Sequence, residues 1–339
     1  MEKDNEYTYV PLSEAIPIKE QMWAEGTLPI VAIGTLAYNH EPYIRDCIEG
    51  ILMQKTTFPV HCIIFEDCST DNTAKIIKEY QEQYPNLFTV FYQPENTYGK
   101  DSRKEAIRIY CEARAQGKYI ALCEGDDYWT DPNKLQKQVD FLKENPDFSL
   151  CCHNWEVNTD GVITPSPVHH KYKKEFSFTF DTLPWIWITK TATLLYRKES
   201  LDLSIAHHYQ YSRDVHTVYH LLKNGKGIFF PQIMAIYRMH SGGVWAQQND
   251  NKKNIITAKL YQELYSFEPN KGTKRRYLYA NLACFNGLLY NNDKEYAIKN
   301  IWKLFLQSLR LISNIKDFVF CMGALLPTKL VNYFRKKIG

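Results

Sequence analysis

The sequence is short of several features that would otherwise decide its class. No stretch approaches the roughly 18 apolar residues that a membrane-spanning helix needs. The longest candidate, Phe318 to Leu326, is too short and stops at Pro327. Met1 to Glu25 is polar and acidic, so a secretory signal peptide is not expected. Nine cysteines include no C-x-x-C pair, which argues against a zinc site and against a disulfide framework and favours a reducing cytoplasm. Three motifs of other α/β enzymes are missing as well. No G-x-G-x-x-G follows the first strand, no G-x-x-x-x-G-K-[ST] marks a P-loop, and no G-x-S-x-G marks a nucleophile elbow.

What remains is a globular composition, 45% hydrophobic and 23% charged over 339 residues, enough for one large domain and an appendage. The net charge of +3 conceals an asymmetry. Residues 251–339 hold 16 Lys and Arg against 5 Asp and Glu, whereas the first 250 hold 25 against 33. A basic tail on an acidic body either meets an anionic surface or simply forms solvated helix faces.

The chain is organised around Lys118–Gln138, KYIALCEGDDYWTDPNKLQKQ. Tyr119 to Cys123 is an apolar run of buried-strand type. Glu124-Gly125-Asp126-Asp127 follows at once, and Asp131-Pro132 predicts a helix start with Leu135, Val139 and Leu142 on one face. Three carboxylates on one tight turn repel each other unless a cation joins them. Hard divalent ions take oxygen ligands, commonly carboxylates together with substrate phosphates. A solvated acidic turn is the bland alternative. It is disfavoured because the strand delivers the cluster to a sheet edge, where α/β proteins keep their ligands.

Around this segment strands and helices alternate. Residues 1–27 read as a polar lead-in. Leu28–Leu36 and Pro59–Phe65 are strands of parallel-sheet type, and Leu87–Tyr92 is a third. Ile44, Cys47, Ile48, Ile51 and Leu52 mark one helix, Ile76, Ile77 and Tyr80 a second, and residues 101–116 another. Thr191–Arg197 reads as a strand, and Trp185–Thr189 as an aromatic strand, more often core than sugar platform. Tyr211–Asp214 opens a helix containing Val218, Leu221 and Leu222. Ile228–Pro231 and Met234–Trp245 close a domain spanning 28–250. From Asn254 onward, residues 251–339 read as helical, with Tyr277, Ala280, Asn281, Cys284 and Leu288 on one helix. Such alternation predicts an α/β fold with a mostly parallel central sheet, helices on both faces and a C-terminal helical appendage.

EGDDYWTDPNKLQKQ resembles the metal-binding segment of the inverting GT-A glycosyltransferases of family 2, and more narrowly a bacterial surface-polysaccharide branch with EGDDYW. The family's usual form is Asp-x-Asp-Asp, and Glu124 departs from it at the first position. By motif order the resemblance covers roughly residues 28–245. It implies a nucleoside-diphosphate sugar donor of UDP or dTDP type, Mn²⁺ or Mg²⁺, and a glycan or lipid-linked acceptor, with no nucleic-acid partner. Thr35, Ala37 and Asn39 are then expected to line the nucleotide and Asp67 to accept from its base. Lys100 and Arg103 are expected near the diphosphate, beside Glu124 and Gly125. Asp126 is the implied main metal ligand, assisted by Glu124, Asp127 and His240. Asp214 is the implied base, Trp187 an acceptor-side residue, and Trp245 a residue closing over the donor. Each has a plainer reading: Asp67–Asp71 as a helix-capping turn, Asp214 as a first-turn acid beside a helix dipole, His240 as a structural histidine. The implied enzyme is a hexosyl- or N-acetylhexosaminyl-transferase in the cytoplasm, free or peripheral at the inner face of the plasma membrane. A nucleotide-sugar-binding protein without turnover is the competing reading, with Glu124 as its mark. A nucleotidyltransferase of similar fold would need a Gly-rich start that strand one lacks.

Overall fold

Val31–Ala37 (β1) is apolar at nearly every position because the sheet is covered on both faces, and its Val31, Ala32 and Ile33 are fully enclosed. The computed structural model describes residues 8–96, 117–183, 186–202, 209–210, 213–243 and 248–290, with Leu306, Leu311 and Ile312. The expected helix at 101–116 therefore lies outside the described residues, as do Lys100, Arg103, Trp185 and Trp245.

β1 pairs in parallel with Val60–Glu66 (β2) in continuous register, Val31 opposite Val60 and Ala37 opposite Glu66. Phe88–Tyr92 (β3) pairs in parallel with β2, and Tyr119–Leu122 (β4) with β1. Between them run helix α1, Ile44–Leu52, and helix α2, Thr73–Gln83. A nine-residue helix is marginal alone. α1 forms because Ile44, Cys47, Ile48, Ile51 and Leu52 are all buried. Full burial of such side chains is worth about 1.5–3 kcal/mol each.

Tyr128–Trp129 (β5) and helix α3, Lys134–Glu144, follow. The sequence places the start of α3 at Pro132; the structure places it two residues later. Asp131 Oδ1 accepts from Asn133 N at 2.8 Å, so Asp131 closes a turn of its own before the helix begins. Leu135, Val139 and Leu142 are buried on one face, as their spacing predicts.

The second half makes the sheet mixed. Phe148–Thr159 (β6), Val162–Pro165 (β7), Phe176–Phe178 (β8), Leu195–Arg197 (β9) and Lys226–Met239 (β10) complete a ten-stranded sheet with main order β8-β10-β6-β9-β4-β1-β2-β3. β9 lies antiparallel to both β4 and β6, joining the halves. The expected strand at Thr191–Arg197 shrinks to β9. Thr191–Thr193 instead forms a 3₁₀ turn, because Thr193 Oγ1 accepts from Lys190 N at 3.0 Å and donates to Lys190 O at 2.8 Å. The aromatic segment before it is likewise irregular at its described residues 186–190. The two segments expected at 228–231 and 234–245 are one strand up to Met239. Its register slips around Phe230–Ala235, where Pro231 has no N–H to give. Beyond the slip, β10 pairs with β5 and so reaches the acidic turn.

The chain divides into two compact units: residues 1–208 with 214–240, and 209–213 with 241–339. The first contains the sheet, helices α1 to α3, and helix α4, Asp214–Lys223. The second contains helix α5, Asp250–Phe267, and helix α6, Lys271–Tyr290, packed on each other. Asn249 caps α5 by accepting from Lys252 N at 2.8 Å. Tyr277, Ala280, Asn281 and Cys284 are buried on α6.

Candidate active site

The acidic turn is fastened to the end of β1. Cys123 N donates to Gly34 O at 3.1 Å and Gly125 N to Leu36 O at 2.8 Å, while Asp127 N closes the turn on Glu124 O at 2.9 Å. The fit admits no side chain at 125. A Cβ there would stand 2.8 Å from His40 Nδ1, 2.9 Å from Leu36 O and 3.1 Å from Ile44 Cδ1. This turn brings one oxygen from each of Glu124, Asp126 and Asp127 within 4.8 Å of one another.

The three carboxyls are not equivalent. Asp127 is 1% exposed; its Oδ1 accepts from Arg238 N at 2.8 Å, and its Oδ2 is enclosed with no partner. Burial, then the charges of Asp126 and Glu124, push its pKa well up. Glu124 is raised to about 7, first by burial and then by Asp126 and Asp214; Lys190 and a hydrogen bond with Thr191 oppose this. For Asp126 burial acts upward too, but the His240 hydrogen bond and the His40 and His240 rings outweigh it and hold the carboxyl below its usual range. Such divergence within one cluster is typical of functional sites.

Asp126 sits between two imidazoles. His240 Nε2 lies 3.1 Å from its Oδ2, and His40 Nε2 lies 4.0 Å away. Tyr43 packs on the His240 ring at 4.6 Å. Arg238 ties the back of the turn: it donates to Asp126 O at 3.0 Å, pairs with Asp46, and stacks over Tyr128 at 4.5 Å and Tyr43 at 5.1 Å. On the other side, Asp214 begins α4, its Oδ1 accepting from Val215 N at 2.9 Å, and its charge reaches both Glu124 and Lys190.

The loops after β1 and β2 are laced together. Asn39, with a positive φ of 53°, accepts through Oδ1 from Thr70 N at 2.8 Å and donates its N–H to Ser69 Oγ at 2.9 Å. His40 N donates to Thr73 Oγ1 at 2.7 Å, and Glu41 N to Asp71 Oδ2 at 3.0 Å. Asp71 also accepts from Thr73 N at 2.9 Å, closing a turn of its own just before α2; the N-cap itself is Asn72, which makes no side-chain capping bond, so the turn precedes the helix instead of capping it. Asp67 is buried beside this seam, its N–H donating to Ala37 O at 2.9 Å. Thr35 and Ala37 are enclosed within β1, which leaves their side chains almost no surface for a ligand. Trp187 is half-buried with an enclosed, unpartnered Nε1. The structure thus gathers Glu124, Gly125, Asp126, Asp127, His240 and Asp214 in one place and turns the Asn39 side chain into a loop fastener.

Two residues near the turn carry no role in the sequence reading. His40 is one, drawn in by the glycine beside it. Lys190 is the other, with a signal available in retrospect: it is the lone charged residue between Asp181 and Arg197.

The donor set suits a hard divalent cation. Three carboxylate oxygens converge, and the enclosed Asp127 Oδ2 lacks any hydrogen-bond partner, a costly arrangement that a cation would relieve.

The sequence profile of a family described as "Glycosyl transferase family 2" matches residues 33–204, just over half of the chain. An uncharacterized protein of Mycobacterium bovis is 36% identical over 217 residues, covering 63% of this chain and 60% of that protein's own length. TuaG of Bacillus subtilis, named for glycosyltransfer in teichuronic acid biosynthesis, is 27% identical over 246 residues, 72% of this chain and 92% of that one. Among solved structures, S. aureus TarS 1-349 superposes with a TM-score of 0.55 at 16% identity, covering 91% of this chain and 87% of that one. TarS 1-349 in complex with UDP-GlcNAc gives a TM-score of 0.54 at 15% identity, with coverage of 91% and 87%. At such identities the likeness is one of fold.

Proposed function

Because this chain belongs to glycosyl transferase family 2 and has the GT-A fold, we propose that it moves a sugar from a nucleoside-diphosphate donor to an acceptor hydroxyl with inversion, in a divalent-metal-dependent reaction. One observation carries the reading: a turn of three converging carboxylates ends a central strand, one oxygen buried and unpartnered, with Asp214 close by. The donor class is supported by the UDP-GlcNAc held by TarS, and the metal by the Mn²⁺ and GDP-Man complex of the Pyrobaculum calidifontis mannosyltransferase, which superposes with a TM-score of 0.50.

In this reading Asp126 and Asp127 hold Mn²⁺ or Mg²⁺, with Glu124 and His240 assisting. The ion supplies positive charge for the leaving diphosphate. His240, fixed between Tyr43 and Asp126, keeps that carboxylate ionised and aimed. Arg238 locks the turn from behind. Asp67 is assigned to accept the imide N–H of uracil or thymine. Asp214 takes the proton of the acceptor hydroxyl as it attacks the anomeric carbon from the face opposite the diphosphate. Likeness to TuaG supports a place in surface-polysaccharide synthesis, with a hexose or N-acetylhexosamine transferred to a glycan or lipid-linked acceptor.

The test is a thermal-shift panel of UDP-, dTDP- and GDP-sugars with and without Mn²⁺, followed by transfer or hydrolysis assays on the donors that bind. A ligand bound only by the folded state raises Tm with its affinity. No shift from any nucleotide sugar with Mn²⁺ would overturn the reading; shifts without turnover would favour a binding protein. Residues 251–339, basic in balance, are assigned to an anionic inner-leaflet surface; no helix among the described residues is long and apolar enough to cross a membrane. Sedimentation with anionic and neutral vesicles at low salt tests this. Equal binding to both, or binding to neither, removes the membrane role.

A further inference from the structure

The acidic centre holds four carboxyls: Glu124, Asp126, Asp127 and Asp214. Arg238 answers part of that charge, but its guanidinium is engaged by Asp46 and by the backbone oxygen of Asp126. Besides the two histidines, Lys190 is a further cation beside the cluster among the described residues, on a turn tied to the acidic segment where Trp129 Nε1 donates to Ala192 O at 2.8 Å. Its backbone is pinned in the capped turn with Thr193, and the adjacent Thr191 hydrogen-bonds Glu124. Its Nζ lies 3.9 Å above the Tyr237 ring and 6.0 Å from that of Trp155, a placement that spares an ammonium part of its desolvation. Among the described residues the ion pairs of the cluster join Asp126 to His240 and His40, and none joins Lys190 to Glu124, Asp127 or Asp214. Burial lowers its pKa, and the charges of Asp214, Asp127 and Glu124 work against that loss of the proton. The amine is therefore held beside the acids without being spent on any one of them.

We propose that Lys190 is a positioning residue, an internal counter-cation that holds Glu124, Asp127 and Asp214 together when no divalent ion is bound and opposes the ion electrostatically when one arrives. The aromatic floor matters to this role. A lysine free to swing into contact would close a salt bridge with one carboxylate and block a ligand oxygen; stacked on Tyr237, it acts on all three from a distance. The same like-charge repulsion weakens metal binding, so the site releases its ion more readily than an all-acid cluster would. The part of the inference that concerns the ion rests on the metal-dependent reading above; the part that concerns the carboxylates does not.

Both parts are tested on full-length protein stripped of metal with EDTA, using Lys190→Met, Lys190→Gln and Lys190→Arg. Free Mn²⁺ is followed by electron paramagnetic resonance during titration with Mn²⁺ alone. Lys190→Met and Lys190→Gln are expected to bind Mn²⁺ about tenfold tighter, within the usual range of couplings between neighbouring sites. Lys190→Arg, which keeps the charge and stacks on the ring, is expected to stay within about twofold of wild type. In parallel, Tm in EDTA is measured for Lys190→Gln, Glu124→Gln and the double variant. Lys190→Gln is expected to cost less stability in the Glu124→Gln background than in wild type. Unchanged or weaker Mn²⁺ binding by the neutral variants of a protein that binds Mn²⁺ overturns the proposal, and so does an additive cycle. If wild type binds no Mn²⁺, the metal reading fails by itself and the stability cycle alone decides the role of Lys190.

Discussion

Gly125→Ala adds one methyl group where the structure has no room for it. Its Cβ would lie 2.9 Å from Leu36 O, and that oxygen is already held at 2.8 Å by the N–H of residue 125. Backbone on both sides prevents an easy retreat. His40 Nδ1, 2.8 Å away, can swing aside, but only by leaving its place next to Asp126. Overpacking of this kind costs about 1–3 kcal/mol. At roughly 2–4 °C per kcal/mol for a unit of this size, Tm falls by about 2–12 °C. The functional loss exceeds the stability loss, because the turn that shifts carries the ligand oxygens. Disturbing the groups that orient metal ligands typically costs about 10- to 100-fold in affinity. Thermal unfolding and Mn²⁺ titration of the same preparation read both effects. Adding His40→Ala should recover part of the Tm, since it removes one of the three clashes and leaves the Leu36 contact. Wild-type Tm together with wild-type Mn²⁺ affinity in Gly125→Ala would refute the claimed close fit.

Three further outcomes are expected. Asp126→Asn replaces an ionised oxygen ligand with an amide and should abolish transfer and Mn²⁺-dependent donor binding while the protein stays folded; intact metal-dependent binding would remove Asp126 from the ligand set. Asp214→Asn should keep donor affinity and lower kcat by about a hundredfold or more, measured by steady-state kinetics, whereas a collapse in donor affinity would make Asp214 a structural or donor-binding residue. Glu124, with its pKa raised to about 7 in the fold against an ordinary value of 4.5, binds its proton more tightly folded than unfolded. Between those two pH values its ionisation therefore makes metal-free protein less stable as pH rises, so Tm in EDTA should fall more steeply over that window for wild type than for Glu124→Gln. Parallel Tm–pH curves would contradict the burial of its charge.

Much of the N-terminal half was legible because its strands are covered on both faces. Val31–Ala37 and Val60–Phe65 are apolar but for Thr35 and His61, and the carboxylates that directly follow the run Tyr119–Cys123 stand out. The other half was read less well for a physical reason. β9 is three residues long, so its place between β4 and β6 depends on partners distant in sequence rather than on any pattern of its own. Thr193 can serve a strand or a capped turn, and here its two hydrogen bonds with the Lys190 backbone hold the turn. The start of α3 moved because Asp131 can cap at more than one position, and it caps its own turn. Lys190 and His40 stayed hidden because each arrives at the acids on a different loop, and neither lies beside them in the chain.

The seam between the loops after β1 and β2 sets a rule for altering this protein. Asn39, His40 and Glu41 on one side, and Ser69 to Thr73 on the other, exchange hydrogen bonds in both directions, and Glu41 also takes two from Asn72. Neither loop has a conformation independent of its neighbour. Transplanting one of them from a relative would leave half of a matched set facing strangers, and the mismatch would pass through His40 directly to Asp126. Altering either loop in this scaffold thus calls for both to be exchanged together, as one heritable cassette with two separate addresses in the chain.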